Sequence, residues 1–142
     1  MAEAENKSPW ASGRCLCGAV RYEVQTQPKW TALCHCESCR RSASSPVVAW
    51  MGFAPKHVDW TGERTFYQSS ETAQRGFCAI CGSQMSFEST AWPGEIHLYA
   101  ASLEQPEKYA PQLHCHVAEE LSWLHIEDDL PRFERSAEVP AP

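Results

Sequence analysis

The chain has 142 residues, 43% of them apolar, and a formal charge of −6 at pH 7; this suffices for one domain with a modest core. No basic run exceeds Arg40-Arg41, so the electrostatic footprint of a nucleic-acid binder is missing and an anionic membrane surface is disfavoured. Met1 to Pro9 lacks the basic start and apolar run of a secretory signal, and no apolar stretch approaches the roughly 20 residues that cross a bilayer. A cytoplasmic location is expected, where thiols stay reduced. There, eight cysteines point to metal binding ahead of a disulfide scaffold.

Residues 1–12 read as a flexible leader, 13–134 as one zinc-binding domain, and the Pro/Ala/Glu-rich 135–142 as a disordered tail. Ala19 to Val24 alternates, with Val20, Tyr22 and Val24 on one face, which predicts a half-buried strand. It leaves directly from Cys15-Leu16-Cys17-Gly18, where the glycine lets the backbone curl without a Cβ clash. Trp30 to Leu33 is a short strand delivering Cys34, and Glu37 to Ser44 one helical turn that swings Cys39 back towards Cys34 and Cys36. Pro46 to Phe53 is a continuous apolar run, the pattern of a central strand. Thr65–Gln68, Gln74–Phe77 and Gln84–Glu88 are further strands, the last two flanking a Cys78–Cys81 turn as a zinc knuckle. Ile96, Leu98 and Ala100 alternate with His97 and Tyr99. Gln112 to Val117 predicts a strand carrying His114, Cys115 and His116, while Pro106–Tyr109 and Glu119–His125 predict short helical pieces. Many short strands and little helix make the expected fold all-β.

Cys15, Cys17, Cys78 and Cys81 supply a C-x-C and a C-x-x-C, each beside a glycine. Four thiolates complete a tetrahedral ion and leave no position free, the pattern of a structural zinc. The other reading, a redox pair at Cys78–Cys81, lacks the helix start such pairs use. Cys34, Cys36 and Cys39 offer three soft anionic ligands, the donor set of an open, catalytic zinc. A closed site is the alternative, with His114, Cys115, His116, His97 or His35 as fourth ligand. His35 is the weakest candidate, because neighbours in an extended segment face opposite ways.

Three thiolates leave a bound Zn²⁺ at about −1, a weak Lewis acid for water but a good partner for an incoming thiol. Arg40 and Arg41 follow at once and could hold a substrate carboxylate. His114 and His116 share one strand face, as an acid/base pair or as hydrogen-bonded structural histidines. Cys115 points the other way, as a buried free thiol. Trp50, Trp60 and Trp123 are either core or pocket wall.

Gly13 to Tyr22, Cys34 to Arg41 and Arg75 to Ser83, with Ala101-Ser102-Leu103 and Asp128-Asp129-Leu130-Pro131-Arg132, resemble the glutathione-dependent formaldehyde-activating enzyme family, also called the centromere protein V type, over roughly 13–133. The resemblance implies an Mss4-like fold of layered antiparallel sheets. It implies a structural zinc on Cys15, Cys17, Cys78 and Cys81, and a catalytic zinc on Cys34, Cys36 and Cys39. The implied activity is that of a carbon–sulfur lyase joining glutathione to formaldehyde as S-hydroxymethylglutathione, with a small-molecule thiol and aldehyde as partners. The alternative from the same resemblance is a non-catalytic Mss4-like interaction module. Family members often carry a glycine near Ser44, where this chain reads Ser42-Ala43-Ser44-Ser45. The sequence leaves oligomeric state open.

Overall fold

The computed structural model describes residues 8–137, and two sheets carry the fold. Strand β1 (Ala11–Arg14) pairs antiparallel with β2 (Arg21–Val24), and β2 pairs with β5 (Val58–Thr61). The larger sheet runs β10 (His114–Cys115), β3 (Trp30–Cys34), β4 (Val48–Phe53), β9 (Ile96–Tyr99), β8 (Gln84–Ser89), β7 (Ala73–Phe77) and β6 (Thr65–Gln68). Every pairing is antiparallel except the short β10–β3 ladder, which is parallel. The one α-helix among the described residues, α1 (Glu37–Ala43), follows β3 directly. The all-β expectation holds.

Alternation decides where the core lies. On β2 the expected face is the buried one: Tyr22 and Val24 are sequestered while Arg21 and Glu23 face water. They meet Met51, Phe53, Met85, Ile96 and Leu98 from the larger sheet in one apolar cluster. Trp50 and Tyr99 project from the opposite face of β4 and β9 into a second cluster with Cys34, Cys39 and Val48. Strands β4 and β9 are therefore covered on both sides. That explains why Pro46–Phe53 reads as an unbroken apolar run rather than an alternating one. The second cluster is the one that carries the three-cysteine segment.

Three expectations need correction, and one strand went unread. The leader does not extend to residue 12: Ala11 pairs with Val24 in β1, and Trp10 packs on the core. Strand β5 was hidden between Pro55 and Gly62, because its outer positions are exposed and only Val58 is buried. The strand expected over Gln112–Val117 is cut to His114–Cys115. No helix forms over Glu119–His125; there is a 3₁₀ turn at Val117–Glu119 and irregular chain beyond. The returning C-terminal segment accounts for the shortened strand: the His116, Val117 and Ala118 amides donate to the carbonyls of Arg135, Phe133 and Glu134, a non-local use of groups that a longer ladder would need. Residues 138–142 of the expected tail lie outside the described residues.

Candidate metal centres and their surroundings

All eight cysteines are free thiols, and they gather in two places. The first is built by two knuckles from distant parts of the chain. Gly18 and Gly82 close the two turns with φ of 84° and 78°, left-handed values that a side chain resists. Ser83 ties the knuckles together: its Oγ accepts from the Leu16 amide at 3.0 Å, and its carbonyl accepts from the Cys78 amide at 3.0 Å. The Cys15 and Cys17 sulfurs are 3.7 Å apart and Cys17 and Cys78 3.8 Å, with all four sulfurs, Cys81 included, within 4.8 Å of one another. Four ligands bound at about 2.3 Å in a tetrahedron lie about 3.8 Å apart, so this spacing fits one zinc-sized ion. The Ser83 hydroxyl, with nearby backbone amides, holds the Cys81 thiol down to about 5. Val20 N donates to the buried Cys15 sulfur at 3.3 Å. Such N–H donors stabilise anionic sulfur.

The second cluster is local. Strand β3 ends on Cys34, and Cys36 serves as N-cap of α1, its sulfur accepting from the Cys39 amide at 3.3 Å. One turn of helix then places Cys39 beside Cys36, and the three sulfurs lie within 4.8 Å of one another. Trp50 Nε1 donates to Cys39 Sγ at 3.4 Å, fixing that sulfur from beneath. Hydrogen bonds from the Cys34 and Cys39 thiols pull Cys36 down to about 2. Cys34 moves the other way, strongly raised by the neighbouring Cys115 first, then by Cys36 and Cys39. So many crowded sulfurs cannot all be anionic without a cation among them. The donor chemistry of this cluster therefore fits a soft divalent metal.

Cys34 also belongs to a second trio, with Cys115 and His116, whose ligand atoms likewise lie within 4.8 Å of one another. Cys115 sits opposite Cys34 in the β10–β3 ladder. The lone buried thiol expected at Cys115 is thus in fact a neighbour of the cysteine cluster. His114 and His116 do not act as a pair. The ring of His114 is fully buried between His35 and Asp128, whereas His116 leaves the strand with φ 55° and lies 3.5 Å from Glu119.

His35 turns away from its cysteine neighbours, as adjacent extended residues must. Its Nε2 lies 2.8 Å from His114 Nδ1, and His114 Nε2 lies 2.8 Å from Asp128 Oδ2. The carboxylate can only accept, so His114 donates from Nε2 and receives the His35 Nε2 proton at Nδ1. Both rings are sequestered, at 1% and 0% exposure, which leaves His35 Nδ1 a buried acceptor without a partner. This chain anchors the Cys34-His35-Cys36 backbone to the C-terminal segment. Sequence reasoning missed it, although Asp128 sits in one of the segments that carry the family resemblance.

Arg40 braces the same loop, donating to the His35 carbonyl at 3.3 Å and the Glu119 carbonyl at 3.4 Å. Arg41 is exposed and paired with Glu37 at 2.8 Å. A different arginine is buried: Arg75 donates to Ser42 Oγ at 3.0 Å and lies over the Phe87 ring. Of the three tryptophans considered, Trp50 packs on Tyr99 with ring centroids 4.2 Å apart, Trp60 on Tyr22, and Trp123 is exposed. A groove of about 690 Å³ opens where α1 ends, lined by Arg14, Ser42, Ser44, Gln84, Tyr99 and Ser102 among others. Ser44 is the helix C-cap with φ 49°.

Known proteins are similar to this chain. An uncharacterized lyase of Schizosaccharomyces pombe is 34% identical over 82 residues, 58% of this chain and 60% of that protein, so the match spans less than two thirds of its length. A Halomonas elongata protein, named for glutathione-dependent formaldehyde activation, is 28% identical over 125 residues, 81% of this chain and 80% of the relative. The crystal structure of a Rhodobacter sphaeroides protein superposes with a TM-score of 0.55 at 27% identity, over 66% of this chain and 87% of the other. The family profile described as "Glutathione-dependent formaldehyde-activating enzyme" matches residues 10–119, which include both cysteine clusters. The chain belongs to the glutathione-dependent formaldehyde-activating enzyme family.

Proposed function

We propose that this protein is a zinc-dependent carbon–sulfur lyase acting on a thiol–aldehyde adduct such as S-hydroxymethylglutathione. The observation that carries the reading is the local trio Cys34, Cys36 and Cys39: three sulfurs that meet at one point, with Cys115 and His116 grouped around Cys34 apart from Cys36 and Cys39. An ion held by that trio supplies a coordination position suited to a soft thiolate. Cys15, Cys17, Cys78 and Cys81 hold a second, structural zinc in the same reading. Family membership and the names of the two relatives support the assignment.

The reaction is reversible and balanced. In synthesis the glutathione thiol loses its proton, the sulfur forms a bond to the aldehyde carbon, and the aldehyde oxygen takes a proton. In cleavage the hydroxyl proton leaves, the carbon–sulfur bond breaks, and the sulfur is reprotonated. The chain's own residues position these partners. Trp50 and the His35–His114–Asp128 chain hold the cysteine loop in place. Arg41, paired with Glu37 across an exposed ion pair, can exchange that carboxylate for a substrate's, while Arg40 is engaged with backbone carbonyls.

Exchange spectroscopy of glutathione and formaldehyde tests the reading. The wild-type protein accelerates interconversion of free and adduct thiol, and Cys36→Ser loses that acceleration while keeping the metal of the four-cysteine site. Equal rates for the two proteins return the chain to the alternative, a non-catalytic zinc-binding interaction module.

A further inference from the structure

The lyase reading uses Cys34, Cys36 and Cys39 and leaves Cys115 and His116 without a task. Three features of these two residues point to a ligand. Cys115 stands opposite Cys34 on a parallel neighbour, so both side chains leave the sheet on the same face. At His116 the backbone enters the left-handed region, with φ 55° and ψ 37°, a conformation a non-glycine residue keeps only when its surroundings impose it. Strand alternation would have sent this imidazole to the face opposite Cys115. The left-handed turn instead brings it within 4.8 Å of the Cys34 and Cys115 sulfurs. Its Nδ1 lies 3.5 Å from Glu119 Oε2, a carboxylate at ion-pair distance from the imidazole.

We propose that Cys34, Cys115 and His116 form a second metal position adjoining the three-cysteine one, with the Cys34 sulfur bridging two divalent, zinc-type ions. The inference rests on the reading of Cys34, Cys36 and Cys39 as metal ligands. Two thiolates and an imidazole are a zinc-type donor set. Charge favours joint occupancy. Four thiolates around a single dication would leave about −2 in a half-buried site, and a second dication with neutral His116 brings the group to about zero. On binding, the Cys115 thiol releases its proton to solvent. The side chain of His116 is 30% exposed, which gives the second ion a path in.

The test is cadmium-113 NMR on the full chain, stripped with chelator and reloaded with excess ¹¹³Cd²⁺. About three resonances are expected, two of them split by mutual coupling through the shared Cys34 sulfur and one uncoupled from the four-cysteine site. The double substitution Cys115→Ser/His116→Ala is expected to lose one bound equivalent and to collapse the coupled pair to a single unsplit line. The four-cysteine line stays in place and reports that the variant is folded. If that line is lost as well, the wild-type coupling alone decides. Two uncoupled lines from the wild type overturn the bridged site but keep the three-cysteine reading; a single line removes both.

Discussion

The two cysteine clusters reach similar sulfur spacing by opposite routes. The four-cysteine cluster joins knuckles about sixty residues apart, Cys15–Cys17 and Cys78–Cys81, whose buried members Cys15 and Cys78 are part of the main core. The three-cysteine cluster comes from one strand end and one helical turn, set on the far face of the larger sheet. A site assembled from distant segments constrains the fold, because losing it frees a long loop. A site made by a local turn constrains little beyond itself. In the proposed function this lets it leave a coordination position for a guest without endangering the domain.

The largest effect expected from this contrast is on stability. Cys78→Ser, or chelation of both sites, removes folding energy on the order of 10 kcal/mol, the scale of structural zinc binding, and abolishes the cooperative thermal transition. Cys36→Ser leaves that transition nearly in place but reduces thiol–aldehyde exchange by about 100-fold or more. Thermal melts and exchange rates on the same two variants check the contrast directly. Similar melting losses for both would erase it.

The anchor of the local site gives a smaller effect. His114→Ala removes a fully buried ring and strands His35, at a cost of about 2–4 kcal/mol in urea unfolding. Asp128 sharpens this through pH. Its hydrogen bond with His114 holds its carboxyl below the usual 3.8. A depressed folded value means the stabilisation is complete above 3.8 and is lost as pH falls through the lower folded value. Asp128→Asn should flatten that acid limb of the unfolding curve and leave the slope near neutrality unchanged.

The smallest effects fall at the end of α1. Ser44→Gly relieves a left-handed C-cap and should stabilise the domain by about 1 kcal/mol. Arg41→Ala should change stability by less than about 0.5 kcal/mol, since its ion pair with Glu37 is exposed. A rise in the KM for the thiol in that variant would place Arg41 on the substrate; an unchanged KM would leave it a solvated residue.

Much of this was written in local sequence. The periodicity of Val20, Tyr22 and Val24 named a buried face, the unbroken run before Phe53 named a doubly covered strand, and cysteine spacing named the Cys34–Cys39 trio and each of the two knuckles, because each depends on neighbours within a few residues. What lay beyond reach depends on partners far along the chain. Strand β1 exists because β2 is beside it, and the strand expected over Gln112–Val117 is cut short where residues 133–135 take the amides of His116, Val117 and Ala118. Only the tertiary structure could bring Asp128 to His114 and His114 to His35, or turn His116 towards Cys34. Spacing specifies which donors are available; the order in which strands pair decides which of them meet.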